Sequence, residues 1–134
     1  MDARLDLVIV YNVFFSKVNI IRNAGGSARD ALRSFLLFNH LLGTREIMVV
    51  EHTRYGLLKA TNEMAKEVIR KSLGYENEAM TNLEKINFFP IADLKEAARE
   101  DIEFLKENKL ILKEVRISGW VQDIDTGRVA KVAE

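Results

Sequence analysis

The stretch Glu46-Ile-Met-Val-Val-Glu-His-Thr-Arg-Tyr-Gly56 decides the fold of this chain. Its four consecutive apolar residues, Ile47 to Val50, are typical of a strand that is covered on both faces. A polar turn follows at His52, and apolar residues then recur at helical spacing from about Gly56 to Leu73. A buried strand that leads through a turn into a helix predicts an α/β sheet.

Working towards the N-terminus, residues 28–42 have one apolar face and predict a helix, with Ser27 as its N-cap and Gly43 as its stop. Lys17 to Arg22 is a short strand candidate that ends at Asn-Ala-Gly-Gly. Residues 7–15 are rich in β-branched and aromatic side chains, which favours a strand, although a short buried helix also fits.

Working towards the C-terminus, residues 74–89 predict a loop with short helical pieces. Ile91 to Asn108 predicts a helix that begins at Pro90. Residues 114–124 alternate as a strand, Asp125-Thr-Gly127 forms a hairpin turn, and residues 128–132 return. The fold class is therefore α/β, a mainly parallel sheet flanked by helices, and a single domain over residues 1–134 is expected.

Composition excludes several classes of function. The 20 basic and 20 acidic residues leave no net charge, so we expect neither a nucleic-acid partner nor a charged membrane surface. No apolar stretch is long enough to span a bilayer and no signal peptide is recognisable, so a cytoplasmic protein is expected. The chain has no cysteine, which excludes disulfides and thiolate metal ligands from within it.

Four sequence motifs carry a family resemblance: Met1-Asp-Ala-Arg-Leu5, Arg22-Asn-Ala-Gly-Gly26, Leu42-Gly-Thr-Arg-Glu46 and His52-Thr-Arg-Tyr-Gly56. In this order and spacing they resemble the β-class carbonic anhydrases, which have Cys-Met-Asp-x-Arg at the first motif and His-Thr-x-Cys-Gly at the last. The resemblance implies a zinc ion held by two cysteines and a histidine. It also implies a paired aspartate and arginine, here Asp2 and Arg4, and a homodimer or higher oligomer.

This chain departs from the family at the zinc ligands. His52 is the only ligand position that is retained, because Tyr55 replaces one cysteine and the other position falls just before Met1. A phenol is a poor substitute for a thiolate, so we expect no cofactor, and we expect the pair Asp2 and Arg4 to be vestigial. The interpretation is a paralogue without a zinc site that binds or has a structural role and does not hydrate CO2.

The alternative interpretation is an active carbonate dehydratase, or a related small-molecule hydrolase, whose ligands come from outside this segment. The family has a helix and a central strand before the first of these motifs. The sheet is therefore expected to lack that strand or to replace it, with residues 7–15 as a candidate bridge. Whether that missing segment is natural or an effect of start-site assignment stays open.

A small anion such as bicarbonate is the ligand that the sequence favours. Two glycines precede a helix N-terminus, where free N–H groups and the helix dipole attract negative charge. Arginines follow the predicted strands on both sides, so the expected anion site comprises Arg4, Gly25, Gly26 and Arg54, with Arg22 nearby. A plain tight turn at the two glycines is the alternative.

Overall fold

The chain forms both helices and strands, as the sequence predicts. The computed structural model describes residues 1–5, 17–74, 78 and 80–134, so the prediction for residues 7–15 lies outside the described residues. A 3-10 turn at Ala24–Gly26 precedes the first helix. The elements in chain order are α1 (Ala28–His40), β1 (Glu46–His52), α2 (Asn62–Leu73), α3 (Met80–Glu84), α4 (Leu94–Glu107), β2 (Arg116–Gln122) and β3 (Val129–Ala133).

The described sheet has three strands in the order β1-β2-β3. β1 and β2 are parallel, with Ile47 opposite Ile117, and β2 and β3 form the predicted antiparallel hairpin. Because the chain crosses from β1 to β2 through helices, both strands end at the same edge. The predicted α/β sheet flanked by helices is confirmed, and the residues that follow His52 lie at its carboxyl end.

The core lies between the sheet and helices α1 and α4. Ala98, Ile102 and Leu105 of α4 are buried against the apolar residues of β1 and β2. Gly119 of β2 allows this close approach, since a Cβ there would clash with Cδ1 of Ile102. The same helix therefore packs against both parallel strands and against β3.

The predicted strand over Lys17–Arg22 is wrong, because these residues have no regular secondary structure. A strand requires a neighbour to which its backbone can bond, and local propensity does not report one. In the described part of the chain, no backbone hydrogen bond links residues 17–22 to β1.

Two predicted helix starts are also wrong. α4 begins at Leu94 rather than at Ile91, because the Asp93 carboxylate accepts hydrogen bonds from the amides of Lys95 and Glu96, each at 2.9 Å. α2 begins at Asn62 rather than near Gly56, since the Thr61 hydroxyl caps it. The N-cap predicted at Ser27 is confirmed, as its hydroxyl accepts from the Asp30 amide. Among the described helices, none has both the length and the apolar character needed to cross a membrane.

Candidate functional site

The Asp2–Arg4 pair is formed and reaches the turn after β1. The Arg4 guanidinium donates to both carboxylate oxygens of Asp2, and its Nη2 also donates to the Arg54 carbonyl oxygen at 3.0 Å. These hydrogen bonds from Arg4, from its side chain first and then from its backbone amide, hold the pKa of Asp2 far below its ordinary value. Asp2 is therefore a carboxylate throughout the neutral range.

His52 directs one ring nitrogen towards this pair. Its Nδ1 lies 2.8 Å from the Thr53 carbonyl oxygen, and a carbonyl can only accept, so Nδ1 carries the proton. In the neutral ring, Nε2 then has a free lone pair, and it lies 3.8 Å from Oδ2 of Asp2. His52 is buried, with 8% of its surface exposed. With the proton fixed on Nδ1, Nε2 is the ring nitrogen that faces the Asp2 carboxylate.

Tyr55 occupies the space between His52 and the glycine turn. Its ring meets the His52 ring edge-on, with 5.8 Å between the ring centroids. A Cβ at Gly25 would lie 3.4 Å from the Tyr55 hydroxyl oxygen, so the glycine leaves room for that hydroxyl. Burial, and then the nearby Glu51, raise the pKa of Tyr55, which keeps its hydroxyl a hydrogen-bond donor.

Glu51 is a buried acid that the sequence analysis did not assign to the site. It is only 2% exposed, and Gly26 is adjacent, since a Cβ there would lie 3.0 Å from Oε1 of Glu51. Burial, reinforced by the negative charge of Asp101, raises its pKa to about 8 against the opposing effect of the Met1 amino group. A carboxyl inside an otherwise apolar strand was the available signal.

Asp101 already accepts one of the free backbone amides at the N-terminus of α1, next to the predicted anion cradle. Its Oδ2 accepts from the Ala28 amide at 2.8 Å, and the side chain is buried. Desolvation raises the pKa of Asp101, while this hydrogen bond opposes the rise. Asp101 lies on the apolar stripe of α4 between Ala98 and Leu105, a position at which its burial could have been expected.

The arginines of the predicted anion site are arranged unequally. Arg54 turns away, since its Nε pairs with Oδ2 of Asp125 at 3.0 Å. Arg22 instead donates to the backbone carbonyls of Asp2 and Leu5, and no ion pair to it is found among the described residues. Arg4 therefore pairs with the Asp2 carboxylate, whereas Arg22 bonds only to backbone carbonyls and has no carboxylate partner among the described residues.

Comparison with known proteins places this geometry in a family. The chain is 31% identical over 133 residues to β-carbonic anhydrase 1 of Mycobacterium tuberculosis (strain ATCC 25618 / H37Rv), spanning 98% of this chain and 77% of that protein. This chain belongs to the β-carbonic anhydrase family. A solved carbonic anhydrase from Glaciozyma antarctica superposes with a TM-score of 0.93 at 37% identity, over 99% of this chain and 78% of that one.

Other relatives of this β-carbonic anhydrase homologue carry a different name. A carbon disulfide hydrolase of Acidianus sp. (strain A1-3) is 32% identical, spanning 98% of this chain and 73% of that protein. A solved apo form of carbon disulfide hydrolase superposes with a TM-score of 0.79 at 30% identity, over 98% of this chain and 74% of that one. No protein-family model matches the chain.

These relatives correct the expectation that no cofactor is involved. That expectation is wrong, because the chain belongs to a family of zinc enzymes, and its relatives include named carbonic anhydrases. The side chains present do not supply the ion's full ligand set, however. Among the described residues no three His, Cys, Asp or Glu side chains are grouped as metal ligands, and His52 and Asp2 provide two donors. A zinc ion here would need donors beyond those side chains.

Proposed function

We propose that this member of the β-carbonic anhydrase family binds a small anion of the bicarbonate type at the cleft between Asp2, Arg22 and His52, and acts as a binding paralogue that does not hydrate CO2. The observation that carries the proposal is the guanidinium of Arg22. Arg4 pairs with the Asp2 side chain, whereas Arg22 bonds only to backbone carbonyls, so in the described part of the chain its positive charge faces no carboxylate partner.

The neighbouring groups suit a small oxyanion. The Tyr55 hydroxyl is a donor, and no hydrogen bond to it is found in the described part of the chain. Glu51 would repel an anion if it were charged, but burial keeps it mostly protonated at pH 7. A planar guanidinium at Arg22 matches two oxygens of a carboxylate or bicarbonate.

Binding of bicarbonate and of sulfate, followed by calorimetry and by amide shifts of Gly25, Gly26 and Tyr55, tests the proposal. Arg22→Gln should weaken binding by about tenfold or more, because a charged hydrogen bond contributes roughly 1.5–3 kcal/mol. Arg33→Gln is the matched control, since Arg33 is an exposed arginine on α1 away from the cleft. Equal loss in both variants, or no binding to the unmodified protein, would contradict the proposal.

A second candidate is carbonate dehydratase activity, with the missing metal donors supplied from outside this chain segment. The observation that favours it is the fixed tautomer of His52, which presents a lone pair on Nε2 beside the intact Asp2–Arg4 pair. A histidine bound to a metal typically has its other ring nitrogen hydrogen-bonded in this way.

Stopped-flow CO2 hydration, with and without added zinc, separates the two candidates. The binding function predicts the uncatalysed rate in both conditions, in the unmodified protein and in His52→Ala alike. The enzyme function predicts a rate that rises with zinc and is lost in His52→Ala. His40→Ala serves as the control, because the His40 ring bonds to the Leu110 carbonyl oxygen.

A further inference from the structure

The turn that follows β1 is tied to the turn that follows β2. The Thr53 amide donates to the Gln122 carbonyl oxygen at 2.8 Å, and the Thr53 hydroxyl accepts from the Ile124 amide at 2.9 Å. The third link is the ion pair between Nε of Arg54 and Oδ2 of Asp125, at 3.0 Å. Because β1 and β2 are parallel neighbours, their carboxyl ends lie side by side. The two turns therefore form one connected surface at that edge of the sheet.

The Arg54 backbone has a conformation that favours glycine. Its φ is 56°, in the left-handed region, where a residue with a Cβ is disfavoured and glycine is not. In this conformation the Arg54 carbonyl oxygen accepts a hydrogen bond from Nη2 of Arg4 at 3.0 Å. Rotation to a negative φ would reorient that carbonyl. The contact with Arg4 therefore depends on the disfavoured conformation being held in place.

Asp125 is well placed to hold it. The backbone of Asp125 is itself fixed, because the Asp123 carboxylate accepts from the amides of Asp125 and Thr126 at 3.0 and 2.8 Å. The carboxylate of Asp125 then pairs with the Arg54 side chain. The hydrogen bond to Asp2 is the main cause of the raised pKa of Arg4, and the negative charge of Asp125 contributes in the same direction. One residue of the hairpin turn thus acts on both arginines.

We propose that Asp125 is a positioning residue for the Asp2–Arg4 pair. By pairing with the Arg54 side chain, it keeps the Arg54 backbone in the left-handed conformation, so that the carbonyl oxygen stays directed at Arg4. Arg4 in turn stays directed at Asp2. Arg54 thus serves the cleft through its backbone, although its side chain turns away. The inference concerns the free protein, and only its effect on a bound anion rests on the proposed function.

A matched ion pair at the other end of the strands separates positioning from general stabilisation. Glu46 and Arg116, the first residues of β1 and β2, form an exposed pair whose Nη2 and Oε2 atoms are also 3.0 Å apart. Exposed ion pairs contribute little to the stability of a fold. If the pair at Asp125 acted through stability alone, breaking either pair would have the same effect at Arg4.

The first readout is hydrogen exchange of the Arg4 Nε–H group, which donates to Oδ1 of Asp2, followed by NMR in the 134-residue chain. Asp125→Ala should raise the exchange rate by about twofold to fivefold, the range over which an exposed ion pair can act. Arg54→Ala should have the same effect, because alanine keeps the Cβ and loses the pair. Glu46→Ala is the control and should leave the rate unchanged.

A glycine at position 54 distinguishes the backbone route from a direct effect of charge. Glycine adopts the left-handed conformation without a partner, so the double variant Asp125→Ala, Arg54→Gly should return the exchange rate to that of the unmodified protein. Three results would overturn the proposal. These are an unchanged rate in Asp125→Ala, an equal rise in Glu46→Ala, and a rate in the double variant that stays as high as in Asp125→Ala.

Bicarbonate affinity is the second readout, because Arg22 of the proposed cleft bonds to the Asp2 carbonyl oxygen. Calorimetry should show weaker binding in Asp125→Ala and recovery in the double variant. If the unmodified protein does not bind bicarbonate, the proposed function fails, and the exchange rates still decide this inference. If bicarbonate binds but Asp125→Ala leaves the Arg4 exchange rate unchanged, this inference fails and the proposed function stands.

Discussion

Replacing Glu51 with glutamine should change how the stability of this protein depends on pH. Glu51 is buried and its pKa in the folded protein is about 8, whereas the ordinary value in an unfolded chain is near 4.5. The folded state therefore holds this proton more tightly than the unfolded state does. Stability from this group is fully present below about pH 4.5 and falls as the pH rises towards 8.

The magnitude follows from one proton and the distance between the two pKa values. A single proton changes the free energy of unfolding by at most about 1.4 kcal/mol per pH unit. Between pH 5 and pH 8 the unmodified protein should lose roughly 3 kcal/mol through Glu51. Glu51→Gln cannot ionise, so this loss should disappear from the variant. The amide adds donors of its own, which costs roughly 1–3 kcal/mol at every pH if they stay unpaired.

Urea unfolding at pH 5, 6, 7 and 8 measures this difference directly. The curves of the two proteins should converge or cross as the pH rises, with the variant gaining on the unmodified chain by roughly 3 kcal/mol over the range. Glu46→Gln, on the exposed start of the same strand, keeps the buried acid and should retain the original slope. Parallel pH curves for Glu51→Gln and the unmodified protein would refute the assignment of a buried neutral acid.

Three further outcomes are expected. Gly119→Ala should lower the free energy of unfolding in urea by roughly 1–3 kcal/mol, because its Cβ would clash with Ile102. Adding Ile102→Val should restore part of this loss. Gly56→Ala is the control and should be close to neutral, because the space around Gly56 is open. Sulfate affinity should decline above about pH 8, because Glu51 ionises and repels the anion, and it should stay constant in Glu51→Gln. Calorimetry from pH 6 to 9 measures this, and an affinity of the unmodified protein that does not change with pH contradicts the prediction. The chain should sediment as a homodimer or larger species, because α2 has no buried residue while its Met64 and Val68 are 58% and 65% exposed. Val68→Lys should dissociate the oligomer, and Leu110→Lys is the control. A monomer at micromolar concentration contradicts this prediction.

Local patterns predicted much of the fold. The apolar run after Glu46 marked β1, Ser27 marked the start of α1, and the Asp125-Thr-Gly127 turn marked the hairpin. These signals depend on side chains that lie close together in the sequence. The prediction at Lys17–Arg22 failed because a strand also depends on a neighbour, which the residues themselves do not specify.

The candidate site was predictable only where a motif marked it. The motifs that contain Asp2, Arg4 and His52 identified residues that the structure does bring together. Glu51 and Asp101 belong to no motif. Their importance comes from being buried where α4 packs against β1, although they are 50 residues apart in the chain. Arg54 matched the motif but turns to Asp125, since the hairpin that supplies this partner is distant in sequence.

The parallel pairing of β1 with β2 also has a consequence during synthesis of the chain. Glu46 and its partner Arg116 are separated by 70 residues, so β1 is complete long before its described neighbour exists. At about 5–20 residues per second, β1 would wait roughly 4–14 s for β2 to be translated. Throughout that interval the edge of β1 that pairs with β2 is open along the apolar residues Ile47 to Val50. Newly made chains of this protein should therefore depend on chaperones before residue 122 emerges from the ribosome, and become independent of them afterwards.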